Sequence, residues 1–352
     1  MTVEHRMKAL VTTSTGKYHL EDVNIPSLGS GEVLVKVEVA AQNPADWKNL
    51  PSVPIGHIIG SDFAGTVHAI GPDVDEGSTL LGKRVAGMVH GGATRNGAFA
   101  EFVVAQAGLL FYLPDEVTFE DGAQLAVAAM SACLCLYQIL ELPTPYDTPG
   151  ISPPAILIWS GATAVGRYAI QLAKLANMRV FASASPKQHE LLKGLGADEV
   201  FDYSDSFTGR NIFEASGGKL TYAVDCWSDG VSPYQVSAAL SKDGGKVATV
   251  LPYQSRKKSV ETSLVSAYTV YGKDITFPFP AAADMVAAAN GRAYAKLISR
   301  ILREGKLQLG SVKLFSNGLL GVVHGMEYSR LGKAHGEKII YRISDTPVLM
   351  DG

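Results

Sequence analysis

The chain has 352 residues, of which 47% are hydrophobic and 18% charged, and its formal net charge is −3. This length predicts two domains of ordinary size, and the small charge gives no electrostatic reason to bind nucleic acid or an anionic membrane. No apolar run approaches the roughly 20 residues that span a bilayer, and charges interrupt the N-terminal segment MTVEHRMKALV, unlike a signal peptide. The three cysteines, Cys133, Cys135 and Cys226, stand in apolar surroundings, which predicts buried thiols in a cytoplasmic protein.

Short strands fill the first part of the chain, to about residue 128. They are the apolar or alternating segments MKALVTT, EVLVKVEVAA, DFAGTVHAI, KRVAGMV and GAFAEFVVA. Glycine and proline separate them, a pattern typical of an antiparallel, barrel-like β domain.

From about residue 130 strands alternate with helices, which predicts an α/β fold with a doubly wound parallel sheet. The predicted strands are AILIWS, RVFASA, DEVFDY, YAVDCW and GGKVATVL. The preceding helix, AVAAMSACLCLYQIL, is apolar almost all round and is expected to be buried. Five prolines make residues 141–154 a loop. An amphipathic helix, MVAAANGRAYAKLISRILREGKL, comes late in the chain, and EKIIYRI is predicted as a strand that returns to the first domain.

The segment from Ile156 to Gly166 predicts a buried strand, a glycine turn and a helix start. Its spacing Gly161-x-Thr163-x-x-Gly166 is the dinucleotide fingerprint with threonine as the middle residue. We expect Gly161 to adopt backbone angles closed to other residues, and Gly166 to let the helix pack closely on the strand. The helix N-terminus suits a pyrophosphate. The predicted cofactor contacts are Gly161, Ala162, Thr163, Ala164, Val165 and Gly166; the alternative is an ordinary strand–turn–helix.

The end of the next strand distinguishes NADPH from NADH. NAD sites commonly carry Asp or Glu there, which would repel a 2′-phosphate. The segment FASASPK has no acid, while its serines can donate hydrogen bonds and its lysine adds a positive charge. We therefore predict NADPH, with the 2′-phosphate bound by Ser183, Ser185 and Lys187. For Lys187 the alternative is a solvated lysine at a helix start.

Further cofactor contacts follow from topology, because ligands of such sheets lie at the carboxyl ends of the strands. This selects Tyr203 after DEVF, Cys226 after YAVD and Leu251 after KVATV. Ordinary packing at the sheet edge is the alternative for Tyr203 and Leu251.

Over nearly its whole length the chain resembles the medium-chain dehydrogenase/reductase superfamily. The resemblance lies in EVLVKVEVAAQNPADWK, GSDFAGTVHAIG, GAFAEFVVA, SGATAVGRYAIQLAK, GADEVFDY and GMEYSRLGKAHGEKIIYRI. It implies a GroES-like β-barrel catalytic domain from residues 1–128 and 290–352, and a Rossmann NADPH-binding domain from residues 129–289. The segments QNPADWK, SGATAVG, ASASPK, KDITFPFP and GMEYSRLGKAHGEK are most similar to fungal trans-acting enoyl reductases of highly reducing polyketide synthases.

The chain departs from the zinc alcohol dehydrogenases of this superfamily. Those enzymes carry a cysteine where this chain has Gln42-Asn43-Pro44, and their Gly-His-Glu motif is replaced by Gly56-His57-Ile58. The four cysteines of a structural zinc lobe are also missing from the sequence. Because zinc requires three or four N or S ligands in fixed geometry, we expect no metal.

Without a metal, the natural substrate is an activated double bond. Hydride is added at the β-carbon, the resulting enolate oxygen needs hydrogen-bond donors, and the α-carbon needs a proton. The resemblance implies a carrier-bound polyketide enoyl thioester as substrate and a polyketide synthase, or synthase–peptide synthetase, as partner. It places four candidate catalytic residues near the nicotinamide, Asn43, Asp46, Lys48 and Ser131, and brings Lys338 to the cofactor. The alternatives are a surface lysine at position 48 and, for Ser131, a bond to the preceding helical turn.

Other functions fit the same sequence. They are a free-standing quinone or 2-alkenal reductase, a non-catalytic NADPH-binding relative, and an enzyme with this fold but a different reaction, such as a pericyclase. The segment YGKDITFPFPAA is expected at the edge of the nucleotide-binding sheet, where Pro278 and Pro280 would remove backbone donors. We therefore predict a monomer.

Overall fold

The computed structural model describes residues 6–75, 77–148 and 154–348. These residues form two compact units, the first drawn from 1–127 and 268–352 and the second being Ala128–Ala267. The boundary expected between residues 289 and 290 therefore lies between 267 and 268. Tyr271 gives a reason, because its hydroxyl donates to the Met88 carbonyl at 2.6 Å and attaches the segment after residue 267 to the first unit.

Strands and helices alternate along the second unit, whereas strands dominate the start of the first. In chain order the strands are β1 Arg6–Ser14, β2 Lys17–Asn24, β3 Glu32–Ala41, β4 Asp62–Ile70, β5 Arg84–Met88, β6 Phe102–Gln106, β7 Phe111–Tyr112, β8 Ala155–Trp159, β9 Arg179–Ala184, β10 Glu199–Asp202, β11 Tyr222–Asp225, β12 Gly245–Thr249, β13 Val260–Leu264, β14 Val312–Leu314 and β15 Lys338–Arg342. The helices are α1 Pro44–Lys48, α2 Phe119–Ala123, α3 Ala126–Cys133, α4 Ala164–Leu175, α5 His189–Gly194, α6 Thr208–Ala215, α7 Ser232–Ala239, α8 Met285–Arg303 and α9 Val322–Arg330.

The first unit is built on a seven-stranded sheet with the order β14-β15-β3-β4-β5-β7, and β6 also pairs with β3. Antiparallel pairing joins β3 to β4, β6 and β15, which confirms the antiparallel β domain expected there. The late strand returns as predicted, since Ile340 on β15 lies opposite Ala41 on β3. The core of this unit includes Phe63, Phe99 and Tyr341, all with no exposed surface.

The second unit contains six parallel strands in the order β10-β9-β8-β11-β12-β13. Numbered within the unit, this is 3-2-1-4-5-6, the order of doubly wound dinucleotide-binding sheets. The predicted parallel sheet is therefore confirmed, and its strand order reverses between β8 and β11. Apolar side chains such as Leu157, Phe181 and Val247 are buried in its core.

The edge of this sheet is not the segment that the sequence indicated. The edge strand is β13, with the partly polar sequence VETSL, and it pairs only with β12 among the described strands. The segment containing Pro278 and Pro280 belongs to the first unit, where Ile275 and Ala281 form an isolated bridge. The proline argument for a monomer therefore loses its structural basis.

The apolar helix at the boundary is buried, as expected. It consists of α3 and a π-helical segment, Leu134–Ile139, that follows directly. The predicted loop at 141–154 contains no helix or strand at residues 141–148, and its residues 149–153 lie outside the described part. Among the described residues, no helix has the length and apolar character required to cross a bilayer.

Replacing Phe99 by alanine should lower the free energy of unfolding by about 3–5 kcal/mol, because it leaves a cavity beside Tyr341 in the core. Phe207→Ala is the matched control, since that ring is 62% exposed and its loss should cost no more than about 0.5 kcal/mol. Urea unfolding measures both. Equal effects of the two substitutions would contradict the burial of Phe99.

Candidate active site

The turn after β8 has the close packing expected of the fingerprint but not the expected backbone strain. The positive φ, +57°, belongs to Ser160 rather than to Gly161. Gly161 is required for space, since a Cβ there would lie 2.9 Å from the Cδ1 atoms of Ile170 and Leu192. A Cβ at Gly166 would lie 2.7 Å from the Cα of Gly161, so this glycine allows the predicted close approach of α4 to the strand.

The N-terminus of α4 fits a pyrophosphate. Thr163 is the N-cap residue, and its hydroxyl oxygen accepts the Gly166 N–H at 3.1 Å. The same hydroxyl also hydrogen-bonds to the Cys226 thiol at the end of β11. Ala164 and Val165 begin the helix, and their N–H groups find no acceptor among the described residues. These N–H groups and the positive end of the helix dipole together form an anion-binding position.

Ser183 has a different position from the one predicted. Its side chain is fully buried, its hydroxyl oxygen accepts the Ser160 N–H at 3.0 Å, and its carbonyl accepts the Gly161 N–H at 2.8 Å. It therefore supports the turn from the neighbouring strand instead of facing a ribose phosphate. Ser185 is half-buried and Lys187 is exposed, both beyond the end of β9.

The residues selected from topology lie at or just beyond the carboxyl ends of β10, β11 and β12. Tyr203 is 46% exposed, Leu251 is half-buried and Cys226 is buried. Burial raises the pKa of the Cys226 thiol, which is therefore protonated and unreactive. An acid that the sequence reasoning missed, Asp202, ends β10, and hydrogen bonds from the backbone and hydroxyl of Ser204 lower its pKa.

Asp225 is a second missed residue, at the end of β11. Its buried carboxylate accepts the backbone N–H groups of Trp227 and Ser228 and the hydroxyl of Ser232. The Ser228 hydroxyl in turn accepts the N–H of Val250 after β12 at 2.9 Å. This network holds together the loops that follow β11 and β12, and an acid at a strand end was the signal that could have indicated it.

In the first unit, Lys338 lies in a buried network. Its ammonium is 2.8 Å from Asp62 Oδ2 and 2.7 Å from Asn43 Oδ1, and the Asn43 amide donates to the same Asp62 oxygen at 2.9 Å. The other Asp62 oxygen accepts the N–H of Val127. Lys338 was predicted as a cofactor contact; its observed partners are side chains of its own unit.

Asp46 lies beside this network and lines a small, open pocket of the first unit. One carboxylate oxygen accepts the Asn43 N–H at 2.6 Å. Burial raises the pKa of Asp46 to about 7, although hydrogen bonds from Asn43 and Ser61 and the charge of Lys338 act in the opposite direction. The side chains that line the pocket with it include Asn49, Ser61, His90, Tyr268 and Phe277.

Lys48 and Ser131, the other two residues predicted to be catalytic, differ in their exposure to solvent. Lys48 is exposed at the end of α1, with its ammonium 5.7 Å from the centre of the Trp47 ring. Ser131 is 8% exposed and lies in the sixth position of α3 rather than at its start. Asn43, Asp46 and Lys48 are thus brought together on one short helix and its cap, whereas Ser131 belongs to the second unit.

At the positions where zinc alcohol dehydrogenases carry zinc ligands, this chain has side chains that hydrogen-bond to other groups of the protein. The Gln42 amide donates to the Gly325 carbonyl and accepts the Tyr341 hydroxyl, and His57 Nδ1 lies 2.8 Å from the Gly92 carbonyl oxygen. Within the described ranges, no three His, Cys, Asp or Glu side chains converge as a metal site would require.

The buried network predicts a large effect of removing its ammonium. Lys338→Met should lower the free energy of unfolding by about 3–5 kcal/mol, because it leaves the Asp62 carboxylate buried without its charge partner. Arg330→Met, which removes an exposed ion pair with Glu327, should change it little, because solvent screens that pair. Chemical denaturation measures both, and a Lys338→Met effect as small as the control would contradict the network.

Known protein families and a solved structure resemble this chain in sequence and in fold. The alcohol dehydrogenase GroES-like domain family matches residues 29–115, and the zinc-binding dehydrogenase family matches residues 164–287. A solved structure of an alcohol dehydrogenase superfamily protein from Novosphingobium aromaticivorans has the same fold, with a TM-score of 0.77 at 24% identity over 96% of this chain and 99% of that one.

Two relatives with higher identity carry a function in their names. The trans-enoyl reductase ACTTS2 of Alternaria alternata is 36% identical over 345 residues, 96% of this chain and 98% of that protein. The trans-enoyl reductase thnE of Trichoderma harzianum is 35% identical over 353 residues, 96% of both chains. The family expected from the sequence motifs is thereby confirmed. The chain belongs to the trans-enoyl reductases of the medium-chain dehydrogenase/reductase superfamily, a family of oxidoreductases that use a nicotinamide cofactor.

Proposed function

We propose that this protein is an NADPH-dependent enoyl reductase that acts in trans on the α,β-double bond of a polyketide enoyl thioester. The thioester is carried by a polyketide synthase or a synthase–peptide synthetase, the partner that the resemblance of the sequence motifs implies. The observation that carries this assignment is the pocket beside α1, where the half-buried Asp46 has a pKa of about 7. A carboxyl that holds its proton near neutral pH suits a reaction that must protonate carbon.

The preference for NADPH is supported by the end of β9. The residues beyond this strand are Ser185 and Lys187, and no carboxylate stands among residues 181–187. The acid on the neighbouring strand, Asp202, bonds to Ser204. A 2′-phosphate would therefore meet a hydroxyl and an ammonium, and the N-terminus of α4 would hold the pyrophosphate.

NADPH supplies the hydride that is added to the β-carbon. The protein supplies donors for the enolate oxygen, a proton for the α-carbon and a fixed geometry. Lys48 is assigned to the oxygen because its side chain carries N–H donors, and Ser131 stays a candidate donor that the sequence predicts. Asn43 is held by Lys338 and Asp62, which leaves one of its amide hydrogens for a ligand. Asp46 is assigned to the proton.

One assay separates this activity from its alternatives. The purified protein is mixed with NADPH and either a short α,β-unsaturated pantetheine thioester or a small quinone. Oxidation of NADPH by the thioester alone supports the enoyl reductase. Oxidation by the quinone alone indicates a free-standing quinone or 2-alkenal reductase, and tight NADPH binding without turnover indicates a non-catalytic relative.

Lys187→Ala should weaken NADPH binding about tenfold or more, because a hydrogen bond to a charged group contributes about 1.5–3 kcal/mol. NADH, which lacks the 2′-phosphate, should bind as before. Lys193→Ala is the control, since this lysine pairs with Glu190 on the same segment. Fluorescence titration gives the Kd values, and equal losses for the two cofactors would contradict the 2′-phosphate contact.

Lys48→Ala should lower kcat about 100-fold or more while leaving the Kd for NADPH nearly unchanged, as expected for an oxyanion donor. Lys313→Ala is matched to it, because the Lys313 ammonium also lies over an aromatic ring, 5.1 Å from the centre of Tyr328. Steady-state kinetics with the thioester compare them. An unchanged rate in Lys48→Ala would remove this residue from the mechanism.

We also propose that the protein is a cytoplasmic monomer. The three cysteines are free and buried, which suits a reducing compartment. The edge strand β13 is five residues long and carries the charge of Glu261, features that oppose edge-to-edge pairing. Sedimentation that shows a stable dimer at micromolar concentration would overturn the monomer.

A further inference from the structure

We propose that Asp46, Ser61 and Tyr268 form a proton-donating chain in the first-unit pocket, in which Asp46 protonates the substrate α-carbon and the two hydroxyl groups return a proton to it. This inference rests on the proposed enoyl reductase function and adds two relay residues, Ser61 and Tyr268, that the sequence motifs did not indicate.

Hydrogen bonds connect all three residues of the proton-donating chain. The Ser61 hydroxyl donates to the Asp46 carboxylate, and its oxygen lies 2.9 Å from the Tyr268 hydroxyl. Ser61 is 2% exposed, whereas Tyr268 is only partly buried, and all three residues line the same open pocket. Protons can therefore pass from water at the mouth to the half-buried Asp46 carboxyl through two rotatable hydroxyl groups.

Hydrogen bonds with the backbone fix Asp46 and Ser61, and a ring contact fixes Tyr268. Asp46 occupies the first turn of α1 and accepts the N–H of its N-cap residue, Asn43, at 2.6 Å. Ser61 precedes β4, and its carbonyl accepts the N–H of Val89 at 2.8 Å. The ring of Tyr268 stacks on His90 with 3.9 Å between ring centres. The hydroxyl groups therefore meet in fixed positions.

The charges around Asp46 favour its protonated form near neutral pH. Its burial and the Asp62 carboxylate raise its pKa, and the Lys338 ammonium opposes them. His90 adds no positive charge, because burial lowers its pKa to about 4. Tyr268 and Tyr341 are neutral, since burial raises the pKa of both phenols. Thus Lys338 is the cation that acts on this carboxyl, and its charge is shared with Asp62.

The proton balance is closed. After hydride addition, the enolate electron pair forms the new Cα–H bond with the Asp46 proton, the O–H bond of Asp46 breaks, and the carbonyl is restored. The Asp46 carboxylate then takes the Ser61 proton, Ser61 takes the Tyr268 proton, and Tyr268 takes one from the solvent, so that each turnover consumes one solvent proton. Hydride and proton together convert the double bond into a single bond.

The first test needs no substrate. Infrared titration should show a carboxylic acid band that disappears near pH 7 in the wild type and is missing in Asp46→Asn. Ser61→Ala should move this midpoint upward, because the Ser61 hydrogen bond lowers the pKa of Asp46. Ser61→Thr, which keeps the hydroxyl, should restore it. A midpoint near pH 4, or a midpoint that Ser61→Ala does not change, would overturn the proposed proton-donating chain.

The second test uses turnover of the enoyl thioester. The wild-type kcat should fall above about pH 7, because the acid must hold its proton, and Asp46→Asn should lower kcat about 100-fold or more and abolish this pH dependence. Tyr268→Phe should lower kcat several-fold and increase the solvent deuterium isotope effect. Its matched control is Tyr271→Phe, which removes a buried hydroxyl from the same short segment.

The outcomes separate the two proposals. If Tyr268→Phe and Tyr271→Phe have equal kcat values and isotope effects, the relay is wrong while the enoyl reductase stands. If the wild type does not oxidise NADPH with the thioester, the proposed function is wrong, whatever the infrared titration shows.

Discussion

A buried ammonium organises the first unit. Lys338 begins β15, Asp62 begins β4 and Asn43 caps α1, so one set of hydrogen bonds joins three segments that are far apart in sequence. A charge removed from water destabilises the fold unless it is paired and hydrogen-bonded, so the three segments are held in a single arrangement. The position of α1, and with it Asp46 and the pocket, depends on this network.

In the second unit, buried neutral and acidic side chains hold separate segments together in a similar way. Ser183 holds the turn after β8 through both its hydroxyl and its carbonyl, and Asp225 holds the loop after β11. In both cases buried side chains satisfy the backbone of a loop at the carboxyl edge of the sheet. The first N–H groups of α4 are left to an anionic ligand, which is the condition for binding a pyrophosphate there.

The local sequence pattern predicted most of the helices and strands. It was less successful in assigning each segment to one of the two units. Alternating and apolar runs identified the long strands, because side-chain periodicity reports directly which face is buried. The edge strand β13 was not predicted, because three of the five residues in its sequence, VETSL, are polar. The segment after residue 267 was placed in the wrong unit because a hydrogen bond such as that of Tyr271 to Met88 leaves no mark in the local pattern.

The spacing of Gly161, Thr163 and Gly166 likewise identified the cofactor-binding turn, but it did not show what each residue does there. The fingerprint indicated a tight turn, but whether Ser160 or Gly161 would carry the positive φ depends on the neighbouring strand and helix. Ser183 was expected to face the cofactor, and its burial follows from the direction in which β9 presents it. The pocket residues Ser61 and Tyr268 are 207 positions apart, too far for any motif to join them.

By itself the sequence determined the two kinds of domain, the dinucleotide turn, the acid-free end of β9 and the family, because these are local patterns of residue type and spacing. The tertiary structure alone decided that Lys338 supports Asn43, that Ser183 supports the turn, and that Asp46 shares a pocket with the Ser61 and Tyr268 hydroxyl groups. The physical reason is that burial and pairing are properties of packed neighbours. They set the pKa of a carboxyl and the partner of an ammonium, and neither is encoded in any single stretch of chain.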